Sequence, residues 1–218
     1  MDEARSELID TPRAADGRVP GRRGRATRQR LLEETRELLA EVAYRDLKVV
    51  DISRQAGTSP ATFYQYFPDV EAAVLSLTES MVEEGSEALR ALVVEPDWEA
   101  PDAARALADG FLAFFERHQA MLRVVDLATS EGDERFRQLR IRLLNGVFLA
   151  LRDLVEGARV EGRLAEGVDP GAAAGVLTTM LAHVSAHQPG YEPWGVERDA
   201  LAQTMAALID WTVRGHQE

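Results

Sequence analysis

Cysteine is absent from the 218-residue chain, which excludes a disulfide scaffold, a thiol nucleophile and any cysteine-ligated zinc or iron–sulfur site. Long apolar runs are absent too, since no stretch approaches the roughly 18 uninterrupted apolar residues of a membrane-spanning helix. The opening residues, MDEARSELID, lack the apolar segment of a secretory signal. Because 45% of the residues are hydrophobic, a sizeable core is expected. We therefore predict a globular cytoplasmic protein with no membrane partner.

Catalytic signatures are missing as well. The sequence contains no GxSxG, Walker A, GxGxxG or HExxH motif. His183 and His187 are spaced i, i+4 and could share a metal ion on one helical face, but no third ligand follows in a recognisable pattern. A surface or interface pair is the better interpretation. We expect neither an enzyme, a cofactor nor a metal site.

The formal net charge of −12 is unevenly distributed. Residues 1–16 carry −3, residues 17–67 carry +4 and residues 68–218 carry −13. The segment 18–30 contains six arginines and no acidic residue. A chain that as a whole should repel polyanions therefore contains one basic part that can bind them.

The periodicity of apolar residues is helical almost throughout. In residues 26–42 the apolar positions recur along one face, beginning with Leu31 and Leu32. Further helical patterns cover 49–56, 60–67, 69–95, 102–117, 119–130, 133–162, 170–187 and 196–214, separated by proline and glycine. No segment alternates with period 2. The prediction is an all-α fold with about nine helices.

The segment from Val49 to Phe67 has the spacing of a helix-turn-helix, with Gly57 in the turn. Ser59 followed by Pro60 marks the start of the second helix, because serine caps a helix and proline suits its first position. This motif presents its second helix to the major groove of DNA. Asp69 is placed to cap the helix that follows.

The second helix has one face suited to DNA. We expect Phe63 and Phe67 to turn inward. The predicted DNA contacts are Ser59, Pro60, Ala61, Thr62, Tyr64, Gln65 and Tyr66. Hydroxyl groups can donate to phosphates, glutamine can pair with adenine, and alanine or threonine can touch thymine methyl groups.

These residues resemble the signature of the TetR family of one-component transcriptional repressors. The resemblance rests on Ile52-Ser53-x-x-Ala56-Gly57-Thr58-Ser59-x-x-Thr62-Phe63-Tyr64-x-Tyr66-Phe67, on Arg28-x-Arg30-Leu31-Leu32 and on Val168-Asp169-Pro170-x-x-Ala173-Ala174. The aromatic motif and Trp211 are also similar to the ethionamide-regulator-like branch of that family.

The resemblance implies an architecture and a mechanism. Residues 1–23 show no periodic apolar pattern and are expected to form a flexible basic arm. After this arm, the resemblance implies a three-helix DNA-binding domain over 24–68 and a six-helix ligand-binding and dimerisation domain over 69–218. A homodimer would occupy a palindromic operator and block transcription. A ligand would then shift the long fourth helix, alter the separation of the two heads and release the DNA.

Two positions depart from the family pattern. Val49 stands where a threonine often contacts phosphate, and Asp69-Val70-Glu71 replaces a run that commonly carries lysine. We predict that Arg22, Arg23 and Arg25 in the arm compensate. Deleting residues 1–24 should then flatten the dependence of log K on log salt by about 1 for each phosphate contact that the deletion removes.

The acidic domain is expected to hold a small lipophilic effector in an apolar cavity, as the family resemblance implies. The predicted lining is Phe111, Phe115, Phe148, Leu151, Met180 and Trp211, with Asn145 or His183 as a polar anchor. A lipophilic cation bound by Asp109 or Asp126 is one alternative. A second is an acyl-CoA whose phosphates are held by arginines between 135 and 142.

The last two helices are expected to form the homodimer as a four-helix bundle. The apolar candidates for this interface are Val176, Met180, Leu201, Met205 and Leu208. The alternative function is a helical protein that binds another protein or sequesters a small molecule and does not bind DNA. Its best support is the departure from the family pattern at Val49 and Val70.

Overall fold

The computed structural model describes residues 21–215. Within that range it contains nine α-helices, two short 3-10 helices and no strand, which confirms the all-α prediction. The α-helices are α1 (Arg22–Glu41), α2 (Val49–Gln55), α3 (Pro60–Tyr64), α4 (Val70–Val94), α5 (Ala103–Arg117), α6 (Gln119–Ser130), α7 (Glu134–Val160), α8 (Pro170–His187) and α9 (Arg198–Arg214). The 3-10 helices are Tyr44–Asp46 and Gln188–Trp194.

Short polar side chains begin several of these helices. Asp69 accepts a hydrogen bond from the backbone N–H of Ala72 at 2.7 Å, which confirms the predicted cap of α4. Asp133 and Asp169 cap α7 and α8 in the same way. Such caps satisfy amide groups that have no partner inside the helix.

The chain divides into two compact units, the first ending at Glu79 and the second beginning at Ser80. In the first unit, Leu31, Leu38, Ile52 and Phe63 are buried and form part of the core, as do Ala73 and Val74 in the first turns of α4. The predicted functional boundary at 68/69 stays a prediction. The first unit continues past residue 68 into α4, where Ser76 accepts a hydrogen bond from Arg28 of α1.

The second unit is a helical bundle with an apolar centre. Helix α7 packs along α8, and α5 packs along α9. Phe111, Phe136, Leu151 and Ile209 are fully buried there. None of the helices within residues 21–215 is both long and apolar enough to cross a membrane.

Three expectations about element boundaries need correction. Helix α1 begins at Arg22, inside the segment expected to be a flexible arm, and residues 1–20 of that segment lie outside the described residues. Helix α3 ends at Tyr64 rather than Phe67, because the next amides, from Gln65, bond three residues back in a tighter turn. The loop expected after α8 is a 3-10 helix.

Candidate nucleic-acid interface and effector cavity

Helix α3 is short and depends on its N-terminal cap. The Ser59 Oγ accepts a hydrogen bond from the backbone N–H of Thr62 at 3.2 Å, and Pro60 occupies the first helical position. The hydroxyl oxygens of Ser59 and Thr62 lie 3.0 Å apart and share a further hydrogen bond. Gly57 precedes this start with φ +64, a conformation that glycine adopts without strain.

The two faces of the recognition segment are clearly distinct. Phe63 and Phe67 are 0% and 3% exposed, which confirms that both turn inward. Their ring centres lie 5.5 Å apart. On the outer face Ala61 and Gln65 are exposed and Tyr64 is 52% exposed, whereas Thr62 and Tyr66 are half-buried.

The start of α1 is basic. Arg22, Arg23 and Arg25 are exposed in its first turns, and the first turn contains no acidic residue. Unpaired amide groups and the helix dipole already make this end attractive to anions. These arginines therefore belong to a helix start rather than to an arm.

Two other arginines of α1 donate hydrogen bonds to neighbouring segments of the first unit. Arg28 donates to the hydroxyl of Ser76 at 2.6 Å, and Arg30 donates to the carbonyl of Ala56 at 3.4 Å. The charge count placed both residues in the basic segment 18–30 without indicating these bonds. The helical spacing from Arg28 to Leu31 and Leu32 is the only signal that could have placed Arg28 on the inner face, and Arg30 is exposed.

The two departures from the family pattern lie at helix starts. Val49 is half-buried at the first position of α2, directly after the exposed Lys48. Val70 is half-buried at the first position of α4, after the capping Asp69.

The eight residues predicted to contact the effector do not line one cavity. Phe111 and Leu151 are fully buried core residues, and Met180 is half-buried in α8. Trp211 is 58% exposed on α9. The other four residues line two different cavities, with two residues in each. The prediction of a single effector cavity lined by all eight residues is therefore wrong.

The first pair, Phe115 and His183, lines a cleft bounded by α5, α6, α7 and α8. This cleft has a volume of about 210 Å³ and shares lining residues, among them Phe115 and Leu122, with a hollow of about 350 Å³ beside Pro189. Its walls are mostly apolar and its rim is polar. The lining includes Phe115, Leu122, Val125, Leu143, Leu144, Ala182 and Ala186, with Asp126, Arg140, His183 and His187 at the rim.

The second pair, Asn145 and Phe148, lines a groove of about 360 Å³ between the end of α6, α7 and α8. The buried hydroxyl groups of Thr129 and Thr178, which also line it, have no hydrogen-bond partner among the described residues. A buried hydroxyl without a partner is unfavourable, so this groove favours a neutral hydrogen-bonding group.

Trp211 lies instead in a groove of about 560 Å³ between α8 and α9, together with Val176 and Leu208. Val176 is 67% exposed. Met205, predicted at the same interface, is buried within the chain because it shares the core face of α9 with Ile209.

The carboxylates considered as cation ligands already have partners. Asp109 accepts from Arg105 at 2.7 Å and from Arg198 at 2.8 Å. Burial acts to raise the pKa of Asp109, but these two hydrogen bonds outweigh it and the pKa is lowered. The Oδ1 of Asp126 lies 3.6 Å from the Nε of Arg140.

Three of the four arginines considered for acyl-CoA phosphates, Arg135, Arg137 and Arg140, already pair with acidic side chains. Arg135 pairs with Asp133 at 2.6 Å, and Arg137 pairs with Glu134. A hydrogen bond from Arg135 lowers the pKa of Asp133.

The two histidines stack with ring centres 4.1 Å apart, and the Nδ1 of His187 lies 2.9 Å from the carbonyl of His183. Within residues 21–215 no group of three or more His, Asp or Glu side chains is placed to hold a metal ion.

A capped recognition helix in the first unit, with a helical bundle in the second, defines a helix-turn-helix regulator. The family model described as "Tetracyclin repressor-like, C-terminal domain" matches residues 89–218, more than half of the chain. The model "Bacterial regulatory proteins, tetR family" matches residues 31–75. The chain belongs to the TetR family of transcriptional regulators.

Individual relatives agree with this assignment. The HTH-type transcriptional regulator EthR of Mycolicibacterium smegmatis is 27% identical over 173 residues, which span 77% of this chain and 76% of that protein. The regulator FadR of Bacillus subtilis, solved with stearoyl-CoA, superposes with a TM-score of 0.62 at 18% identity, covering 87% of this chain and 99% of that one. The SmeT–triclosan complex superposes with a TM-score of 0.61 at 17% identity, covering 85% of this chain and 90% of that one. The two structures show a shared fold.

Proposed function

We propose that this protein is a cytoplasmic, ligand-responsive repressor that binds a palindromic operator as a homodimer and is released by a small lipophilic effector. The observation that carries the proposal is the outer face of the recognition segment, where Ala61, Tyr64 and Gln65 are exposed above buried Phe63 and Phe67. A helix anchored by its aromatic face presents its small and polar residues to the major groove.

Each exposed group has a chemical role in this proposal. Gln65 pairs with an adenine edge, and the methyl-sized side chain of Ala61 lies against thymine. The hydroxyl groups of Tyr64 and Tyr66 donate to phosphates and fix the register on the duplex. Thr62 adds a methyl contact, and its hydroxyl shares a hydrogen bond with Ser59.

The basic start of α1 adds contacts to the DNA backbone. Because α1 begins at Arg22, deleting residues 1–24 would remove the helix start together with its charges. The sharper perturbation is the double variant Arg22→Gln, Arg23→Gln. In each head, it should flatten the slope of log K against log salt by about 1 for every phosphate contact that the variant removes. An unchanged slope would show that Arg22 and Arg23 do not reach the phosphates.

We assign the effector to the cleft between α5, α6, α7 and α8. Walls from four helices and a mostly apolar lining that includes Phe115 and Leu122 support a lipophilic ligand there. A permanent cation is disfavoured, since Asp109 is held by two arginines and Asp126 faces Arg140. The proposal is supported by two proteins of similar fold, one solved in complex with stearoyl-CoA and one with triclosan.

The effector assignment can be tested with triclosan and stearoyl-CoA as probes in a thermal-shift titration. Ala186 lines the cleft and Thr179 lines the neighbouring groove. Ala186→Phe should abolish a probe-induced rise in Tm, whereas Thr179→Phe should leave it intact. The reverse pattern would move the effector to the groove with Asn145 and Phe148. No stabilisation of the unaltered protein by either probe would count against the lipophilic class they represent.

The homodimer is assigned to the exposed groove of α8 and α9, where Val176, Leu208 and Trp211 lie together. Exposed apolar side chains in one contiguous patch are typical of an interface. Leu201 and Met180 are half-buried beside this face and can extend it.

The DNA-binding proposal is tested by fluorescence anisotropy on duplexes from the DNA flanking the gene. Gln65→Ala should weaken operator binding at least about tenfold, because one bidentate base contact is worth roughly 1–3 kcal/mol and each dimer loses two. The matched control is Gln55→Ala, which removes an exposed glutamine at the end of α2. Tyr64→Phe should weaken binding less than Gln65→Ala does, and by the same factor on every duplex, because a phosphate contact does not depend on DNA sequence. No binding to any flanking duplex would favour the non-DNA interaction protein.

A further inference from the structure

One arginine of the first unit touches three of its segments. Arg28 lies on α1, and its Nη2 donates to the hydroxyl of Ser76 on α4 at 2.6 Å. Its guanidinium carbon lies 5.0 Å from the ring centre of Phe67, just beyond α3. Glu79, one turn further along α4, adds a favourable charge interaction. A single side chain thus joins α1, the recognition segment and the first turns of α4.

Phe67 is the residue through which Arg28 reaches the recognition segment. The Phe67 ring is buried against Phe63, and its backbone N–H donates to the Phe63 carbonyl at 2.9 Å. Helix α3 contains only five residues, and Phe67 lies three residues beyond its last residue, Tyr64. A contact that holds Phe67 therefore also holds Gln65 and Tyr64 in place.

The contact requires an arginine rather than any cation. The guanidinium group is planar, so it can lie over an aromatic ring while its edge donates a hydrogen bond. A lysine ammonium is a point charge and cannot satisfy both partners from one position. Arg28 is half-buried, and this burial lowers its pKa, although arginine remains protonated at neutral pH.

We propose that Arg28 is a positioning residue that fastens the end of the recognition helix to α4 and thereby sets the orientation from which α3 reads DNA. The proposal rests on the proposed DNA-binding function but goes beyond it, since it assigns no DNA contact to Arg28 itself. It also explains why one arginine in a basic segment is turned away from solvent.

The first test is hydrogen exchange on the full chain without DNA. In Arg28→Gln the amides of Gln65, Tyr66 and Phe67 should exchange about tenfold faster, whereas the Ala56 amide in the preceding turn should change less than about twofold. The control is Arg36→Gln, which removes the same charge from an exposed position on the same helix and should change neither group. A uniform increase along the chain, or no increase at Gln65–Phe67, would overturn the proposal.

The second test separates positioning from phosphate contact. On a duplex recovered by in vitro selection with the unaltered protein, Arg28→Gln should bind about tenfold more weakly with an unchanged salt slope. Removal of a phosphate contact would instead flatten the slope by about 0.9 per site. Arg28→Lys should not restore affinity, because lysine replaces a charge but not a planar contact. A flatter slope together with rescue by lysine would make Arg28 a DNA contact and refute the positioning role.

Ser76→Ala provides a second variant should Arg28→Gln fail to fold. It removes the acceptor on α4 and leaves the Arg28–Phe67 contact in place, so faster exchange confined to Gln65–Phe67 is again expected. If Ser76→Ala leaves exchange there unchanged, the link to α4 is refuted. If the local exchange effect is present but the protein selects no DNA, the positioning role stands and the proposed function fails.

Discussion

Ser59 caps α3 and lies on the segment that we propose binds DNA, and substitutions at this position can separate a role in helix stability from a role at the DNA. Its Oγ accepts from the Thr62 amide at 3.2 Å, and the residue is exposed at the start of α3. Ser59→Ala removes the cap, Ser59→Asn keeps it without charge, and Ser59→Asp keeps it and adds a negative charge.

The expected change in stability follows from the cap. Loss of a serine N-cap costs about 1 kcal/mol, within a range of roughly 0.5–2. For a chain of this size, about 1 kcal/mol corresponds to a fall in Tm of roughly 2–4 °C. Ser59→Asn and Ser59→Asp should keep Tm within about 1 °C of the unaltered protein, because both residues cap as well as serine.

The expected change in DNA affinity follows from charge. A unit charge about 4 Å from a phosphate costs ~1 kcal/mol in water, and a dimer carries two such positions. The resulting ~2 kcal/mol corresponds to about 30-fold weaker binding for Ser59→Asp. Ser59→Asn should stay close to the unaltered affinity. The deficit of Ser59→Asp should shrink as salt rises, because exposed charges are screened.

Both effects can be measured on the same samples, by thermal denaturation and by anisotropy on the selected duplex. We expect Ser59→Ala to lose stability but not affinity to the same degree, and Ser59→Asp to lose affinity but not stability. Equal affinity of Ser59→Asp and Ser59→Asn would show that this end of α3 does not face phosphate. An unchanged Tm in Ser59→Ala would show that the cap contributes nothing.

Three further predictions concern the second unit. A Cβ at Gly85 would lie 2.5 Å from the Phe114 ring, whereas one at Gly157 meets nothing within 4 Å. Gly85→Ala should therefore be less stable than Gly157→Ala by about 1–3 kcal/mol in denaturant unfolding, and equal stabilities would contradict the close approach. Asp109→Asn should cost about 1 kcal/mol at pH 7, a value reduced for its partial exposure. Because the pKa of Asp109 is lowered in the folded state, the difference in free energy of unfolding between the two proteins should persist above pH ~4 and vanish as the pH falls further. A difference that grows in acid would contradict the lowered pKa. Val176→Asp should weaken dimerisation at least about tenfold by light scattering while leaving Tm of the monomer unchanged, and a persistent dimer would move the interface elsewhere.

Local sequence signals predicted the elements and one face of α3. Ser59 followed by Pro60 located the start of the recognition helix, and Asp69 located the start of α4. The inward positions of Phe63 and Phe67 were predictable because a helical period fixes which side chains lie together. These signals act within a few residues, so they require no knowledge of the tertiary structure.

Contacts between helices were not predictable from the same signals. Helix α9 is apolar on two sides, so periodicity alone could not assign Met205 to the core and Trp211 to the surface. Phe111 and Leu151 point inward as expected, but a pattern does not distinguish a filled core from a cavity wall. Arg28 shows the same limit for charge, since its long side chain can reach either solvent or a neighbouring ring.

The paired hydroxyl groups of Ser59 and Thr62 have a consequence for how a head could adjust to DNA. The two oxygens lie 3.0 Å apart, and either one can be the donor in the bond between them. Whichever hydroxyl donates, the other keeps one hydrogen free to point outward. The pair therefore offers a single outward proton that can sit on either of two atoms. A phosphate displaced by a few ångströms along its strand would still find a donor, without any movement of the helix.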